Sequence, residues 1–144
     1  HLDLARTNAL VLGGTGPVGQ RVARLLARHG GHVRIGSRQK DRAEAVCAAV
    51  RAAVSGAKVE AVATASSGDG PAALAGRDLV VAAGAPGAVL LPRKHWETAA
   101  VKVLVDLNGV PPAGIEGVDL GDKATNRGDR IAYVGKNSAD YFEL

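Results

Sequence analysis

Short apolar runs alternate with amphipathic stretches along most of the chain. Ala9-Leu10-Val11-Leu12 is apolar at every position and is followed by glycine, which predicts a strand at Asn8–Leu12 buried on both faces. A helical period follows, with Val18, Val22, Leu25 and Leu26 on one face and Gln20, Arg21, Arg24 and Arg28 mostly outside it. That helix runs to His29, and Gly30-Gly31 end it. His32 to Gly36 reads as a second strand, about Lys40 to Val54 as a second helix, and Lys58 to Ala63 as a third strand. The second helix carries Ala43, Val46, Cys47, Val50 and Val54 at steps of three and four, with Ser55-Gly56 closing it.

Beyond a small polar loop from Thr64 to Gly70 come a short helical turn at Pro71–Leu74 and a fourth strand from Asp78 to Ala83. A loop at 84–87 leads to a helical piece reaching about Ala99 and restarting at Pro92, then to a fifth strand at Val101–Asp106. From Asn108 the chain is rich in Gly, Pro and Asp and reads as irregular until a sixth strand at Arg130–Val134. Strands alternating with helices call for an α/β fold, a Rossmann-type doubly wound and mainly parallel sheet with helices on both faces. Ligands of such sheets sit beyond the carboxyl ends of the strands, so the loops 13–19, 84–87 and 107–110 should line the crevice.

The turn after the first strand carries the most specific local chemistry. Gly14, Gly16 and Gly19 fit G-x-G-x-x-G between a strand and a helix. The first glycine would allow the tight turn, the second the approach of a pyrophosphate, and the third close packing of helix on strand. Pro17 suits a first helical turn, whose free N–H groups and positive dipole end face an anion. The same glycines would also serve a strand–helix turn that binds nothing.

The end of the second strand bears on which dinucleotide fits. Gly36-Ser37-Arg38-Gln39-Lys40 offers no carboxylate before Asp41, where an acid would hold the ribose 2′-hydroxyl of NAD. Ser37 and Arg38 supply donors suited to the 2′-phosphate of NADP, with Arg38 able to make a forked contact. NAD as a second cofactor stays open, and the alternative reading makes Arg38 and Lys40 an ordinary exposed helix start.

Composition narrows the class. At 144 residues the length suits one domain. Hydrophobic residues make up 47% but aromatics only 3%, so the core must be built from Val, Leu, Ala and Ile. The formal charge of +4 fits a phosphorylated small molecule better than nucleic acid, for which stacking aromatics and dense Lys/Arg runs are lacking. One cysteine allows no internal disulfide, and Cys47 falls on an apolar helix face. No signal-peptide pattern opens the chain and the longest uncharged run, Leu79 to Pro92, is too short to span a bilayer. A cytoplasmic location is the resulting expectation, and a start at His1 suggests a fragment or tag remnant.

Acid–base and nucleophilic constellations are not evident. Tyr133 and Lys136 stand three apart rather than the four of a Tyr-x-x-x-Lys relay, and Tyr141 has no lysine after it. His29, His32 and His95 are scattered and read as structural or solvated, without metal-ligand spacing. Asp106 could orient a ligand or bond local backbone, with the structural role favoured. Asp119 and Asp122 read as turn residues, and Trp96 as a core anchor. A cofactor-binding unit without its own catalytic group is compatible with direct hydride transfer, where the cofactor carries the chemistry.

With these residues stated, the chain resembles the NADP-binding domain of the methylene-tetrahydromethanopterin and methylene-tetrahydrofolate dehydrogenases of methylotrophic bacteria, from about Ala9 to Tyr133. The anchors are Gly13–Gly19, Gly36-Ser37-Arg38, Ala82-Ala83-Gly84-Ala85, Leu90-Leu91-Pro92 and Trp96. The most restrictive run is Val105-Asp106-Leu107-Asn108 through Pro111-Pro112-Ala113-Gly114-Ile115, followed by Gly117-Val118-Asp119 and Asp122-Lys123. The resemblance implies reversible oxidation of a methylene-pterin to the methenyl form with hydride passing to NADP. It implies phosphate binding by Thr15, Gly16, Pro17 and Val18, 2′-phosphate binding around Ser37 and Arg38, and a nicotinamide near Ala83, Gly84, Ala85 and Asn108. The pterin would lie in a cleft against a separate, preceding domain of about 150 residues, and the whole enzyme would be a homo-oligomer. The last stretch, Val134 to Leu144, departs from that family's glycine-rich ending, so no pterin contact is assigned to Lys136. A deazaflavin-dependent NADP reductase has a similar opening through Gly30–Arg38, and a non-catalytic NADP-sensing module fits the missing acid and base equally well.

Overall fold

The computed structural model describes residues 3–65, 69–84, 89–107, 113–118, 122–127 and 130–134. A short 3-10 turn, Leu4–Arg6, precedes seven strands and four helices in the order β1 (Asn8–Leu12), α1 (Pro17–Arg28), β2 (His32–Ser37), α2 (Lys40–Ala53), β3 (Lys58–Ala63), α3 (Asp69–Leu74), β4 (Leu79–Ala82), α4 (Arg93–Glu97), β5 (Val103–Asp106), β6 (Lys123–Arg127) and β7 (Arg130–Val134). They form a seven-stranded sheet ordered β3-β2-β1-β4-β5-β7-β6. All pairings are parallel except β6 with β7. The chain leaves β1 toward β2 and β3, then returns to β4 on the other side, so the switch in strand order falls between β1 and β4. This is the expected doubly wound sheet.

Alternation along each central strand sends side chains into separate cores. Ala9 and Val11 of β1, Leu79 and Val81 of β4, and Val103 and Val105 of β5 pack with Val22 and Leu26 of α1 and with Ala43, Val46, Cys47 and Val50 of α2. Leu10, Leu12, Val80, Ala82 and Leu104 face the other way, onto Ala73 and Leu74 of α3, Trp96 of α4 and the segment with Ile115 and Val118. Residues of period two on both faces are why these strands are apolar at every position. Asp78 stitches their amino ends: its Oδ2 accepts from the Asn8 amide at 3.0 Å, and its carbonyl from the amides of Lys102 (2.8 Å) and Val103 (3.0 Å).

Three expectations change. The stretch before Pro92 is not helical where described: Leu91 forms a parallel bridge with Ile115. The segment after Asn108 is not irregular up to Arg130, because Lys123–Arg127 pairs antiparallel with β7, making the expected sixth strand the seventh. Val18 does not join the core face of α1. It is 43% exposed at the helix start, which abuts the sheet's open end.

Candidate nucleotide-binding site

The carboxyl ends of β1, β2 and β4 open into a cleft of about 1010 Å³. Its phosphate end is built by the glycine turn. Gly13 takes φ +68°, a conformation that glycine adopts without steric cost, and it packs backbone to backbone against Gly84. The tight turn therefore belongs to Gly13. Gly14, expected to make it, is small for another reason: a Cβ there would stand 2.6 Å from Ile35 Cγ2. Gly19 keeps its assigned role, since a Cβ would stand 2.6 Å from the Gly13 carbonyl oxygen and 2.7 Å from Gly14 Cα. Gly16 is the open one, with nothing nearer its Cβ position than 3.8 Å.

Hydrogen bonding sorts the amides of this turn. Gly14 N–H donates to the Gly36 carbonyl (3.2 Å), Gly16 N–H to Gly13 (3.4 Å) and Gln20 N–H to Gly16 (2.9 Å). Pro17 has no N–H and begins α1 after the uncapped Gly16. Among the described residues no backbone acceptor is recorded for the amides of Thr15 and Val18. Both are donors open to an anion, at the positive end of a twelve-residue helix. Gln20 braces the turn by donating Nε2–H to the Thr15 carbonyl at 2.8 Å. Its place one turn inside the helix made it read as an outer residue.

The second wall rises from β2. Ser37 and Arg38 line the cleft as expected, joined by Gln39 and Arg42. Gln39 N–H donates to Ser37 Oγ at 3.1 Å, which leaves the hydroxyl proton free to donate outward. Arg42 was not singled out from sequence, although it stands four residues after Arg38 on the first turn of α2. The described lining holds two guanidinium groups and no carboxylate, a balance that favours a dianionic group and gives a neutral ribose hydroxyl no acid to bond.

The third wall is Ala83 and Gly84 after β4, with Val89 and Leu90 beyond. Leu90 and Leu91 both donate their amides to the Gly114 carbonyl (2.7 and 3.0 Å), and Glu116 N–H donates to Leu91 at 2.9 Å. Trp96 Nε1–H closes the same clamp on the Glu116 carbonyl at 2.7 Å, and the Arg93 guanidinium carbon stands 5.9 Å from the Trp96 ring centroid. The segment 113–118 thus fixes Leu90 at the cleft wall. Ala85 and Asn108, also expected at this end, lie outside the described residues, as do Gly109 and Val110. Leu107 is buried in the α1/α2 core instead of lining the cleft.

Remaining candidates fall into place around the site. Asp106 is fully buried and its Oδ2 accepts from the Ile115 amide at 2.9 Å, so it holds the clamp segment to the end of β5. Trp96 and Cys47 are core residues. Burial pushes the Cys47 thiol above its ordinary value. Asp122, read as a turn residue, is buried before β6, while Asp119, Lys136 and Tyr141 lie outside the described residues. His29 caps α1 and His32 opens β2, both exposed. Among the described residues no group of His, Cys, Asp and Glu could hold a metal ion, and no helix is long and apolar enough to cross a membrane.

Comparison with known proteins agrees with this geometry. A family model described as the saccharopine dehydrogenase NADP binding domain matches residues 9–88. The bifunctional protein MdtA of Methylorubrum extorquens is 38% identical over 126 residues, covering 87% of this chain and 43% of that protein. A transhydrogenase from Sinorhizobium meliloti superposes with a TM-score of 0.67 at 24% identity, covering 90% of this chain and 36% of its own. An L-alanine dehydrogenase gives 0.68 at 20%, covering 94% and 38%. At these identities the two structures share the fold, and the chain spans less than half the length of each of these relatives.

Proposed function

Because the chain belongs to the saccharopine dehydrogenase NADP-binding domain family, we propose that its cleft holds the NADP of a dehydrogenase acting on a methylene-pterin, methylene-tetrahydromethanopterin or methylene-tetrahydrofolate. One observation carries the cofactor half of this reading. A glycine turn with free amides and a carboxylate-free pair of arginines face the same cleft. The pterin half is supported by the 38% identity to MdtA and by the Asp106–Ile115 run, whose ends are joined by the Asp106–Ile115 hydrogen bond.

The roles of the chain's own groups follow from their chemistry. Thr15 and Val18 amides receive the pyrophosphate, and Gly16 lets it approach. Ser37, Arg38 and Arg42 select the 2′-phosphate. Ala83, Gly84, Val89 and Leu90 supply an apolar wall that keeps water from the transfer path. NADP, when bound, would supply the hydride acceptor for oxidation of the methylene-pterin to the methenyl form. The described lining contributes no carboxylate, histidine, lysine or tyrosine, which suits a direct transfer that needs only positioning. The pterin would reach the open side of the cleft against a further domain of a longer, homo-oligomeric enzyme.

The test is a turnover assay on the full-length protein with NADP and each methylene-pterin. Formation of NADPH with either pterin supports the reading. Turnover only with reduced deazaflavin, or tight NADP binding without turnover, contradicts it.

A further inference from the structure

The turn that would receive the pyrophosphate is built from residues that resist being held still. Three of the four residues from Gly13 to Gly16 are glycine, the residue with the most backbone freedom to lose on folding. Its peptide groups are tied down unequally. Gly14 N–H donates to the Gly36 carbonyl at 3.2 Å, which anchors the start of the turn to β2. The peptide between Thr15 and Gly16 is held at its nitrogen only by the long 3.4 Å contact from Gly16 N–H to the Gly13 carbonyl, beyond the ordinary hydrogen-bond range. Its other end is held well, by Gln20 Nε2–H on the Thr15 carbonyl at 2.8 Å.

That carbonyl has a single recorded partner. Among the described residues no backbone donor reaches the Thr15 oxygen, and no other side chain bonds the backbone of the turn from Gly13 to Gly16. Thr15 lines the cleft, whereas Gln20 does not. The bond therefore ties a polar atom of the cleft wall to a half-buried side chain behind it. Without Gln20, rotation about the bonds flanking this planar peptide would turn its carbonyl, and Gly16 is a residue that accepts either sign of φ. A bare carbonyl oxygen beside a phosphate repels it, and an oxygen turned into the cleft occupies the place where Thr15 N–H and Val18 N–H are open to an anion.

We propose that Gln20 is a positioning residue for the pyrophosphate: by holding the Thr15 carbonyl, it keeps the Thr15–Gly16 peptide from presenting its oxygen to the anion. This rests on the NADP reading above and adds to it a residue outside the cleft lining. Gln20 acts on the pyrophosphate end alone, since Ser37, Arg38 and Arg42 form the other wall.

NADP and adenosine 2′-monophosphate, which has the 2′-phosphate but no pyrophosphate, are the probes. Calorimetry would follow both on the wild type, Gln20→Met and Gln20→Glu, with folding checked by thermal melting. Gln20→Met removes the donor and keeps the length, and should weaken NADP by about threefold to tenfold. Gln20→Glu sets a carboxylate against the carbonyl and should weaken NADP further. Adenosine 2′-monophosphate should bind Gln20→Met as it binds the wild type. In the wild type, the Gln20 side-chain amide resonance should shift with NADP and stay still with adenosine 2′-monophosphate, a reading that needs no variant. If the wild type binds NADP but folded Gln20→Met binds it equally, or loses both probes alike, or the Gln20 amide does not respond to NADP, the inference is overturned while the cofactor reading stands. If the folded wild type binds no NADP, both fall together.

Discussion

Gly16 and Gly19 stand three residues apart in one turn and are small for opposite reasons. A Cβ on Gly16 would find nothing nearer than the Gly13 carbonyl oxygen at 3.8 Å, whereas one on Gly19 would stand 2.6 Å from that same oxygen. Gly19 is closed by the protein, and Gly16 is kept open for something outside it.

Alanine substitution separates these roles. Gly16 has φ −78° and ψ 169°, which any residue adopts, so Gly16→Ala should change stability by no more than about 0.5 kcal/mol. It should weaken NADPH at least about tenfold, because the methyl stands where the pyrophosphate approaches. Gly19→Ala should instead cost about 1–3 kcal/mol of stability through overpacking. Thermal unfolding paired with titration of NADPH reads both effects.

Arg38 and Arg42 carry the choice of dinucleotide. Each charge-assisted hydrogen bond is worth about 1.5–3 kcal/mol, so Arg38→Ala or Arg42→Ala should reduce NADPH affinity by about tenfold or more while leaving NADH affinity nearly unchanged. Both side chains are exposed, and raising the salt concentration should narrow the wild-type preference. An unchanged affinity ratio in both variants would remove the arginines from the site.

Asp106 should prove to be structural. Its carboxylate accepts from the buried Ile115 amide, and Asp106→Ala would leave that donor unpaired at a cost of about 1–3 kcal/mol. Asp106→Asn keeps an acceptor and should cost less. Denaturant unfolding measures the difference. A loss of NADPH binding in folded Asp106→Asn would contradict this role.

Acid sensitivity should trace in part to Arg34 and Glu60. Arg34 Nε donates to Glu60 Oε1 at 2.5 Å, and this bond holds the Glu60 carboxyl below its usual value. A depressed folded value means the pair contributes fully above the unfolded carboxylate range and is lost as pH falls through the lowered folded value. The Glu60 side chain is 59% exposed, so the effect is small, and Glu60→Gln should flatten that part of the acid limb. Arg34→Ala should destabilise more than Glu60→Gln at neutral pH, because Nη1 also bonds the carbonyls of Ala73 (3.2 Å) and Ala75 (2.8 Å) at the end of α3. Unfolding midpoints across an acid pH series check both statements.

The sheet was readable where burial on both faces leaves a sequence no choice. β1 and β3 begin and end where their residue pattern places them, and the buried face of α2 is the expected one. β6 was not readable. Lys123-Ala124-Thr125-Asn126-Arg127 shows no apolar alternation, and an edge strand is held by backbone pairing that leaves little trace in side chains. Leu90-Leu91 was ambiguous because a short apolar run suits helix or strand equally, and the distant Gly114–Ile115 segment decides it. Within the site, the glycine turn, Ser37 and Arg38 were visible as a motif. Arg42, Thr64 and Val89 enter only because α2, β3 and the segment before α4 converge on one opening.

The most direct measurement is calorimetric titration of the folded chain with NADPH and, separately, NADH. The account predicts saturable binding at one site, with NADPH tighter by at least about tenfold. No heat with NADPH, or equal affinity for the two, would contradict it.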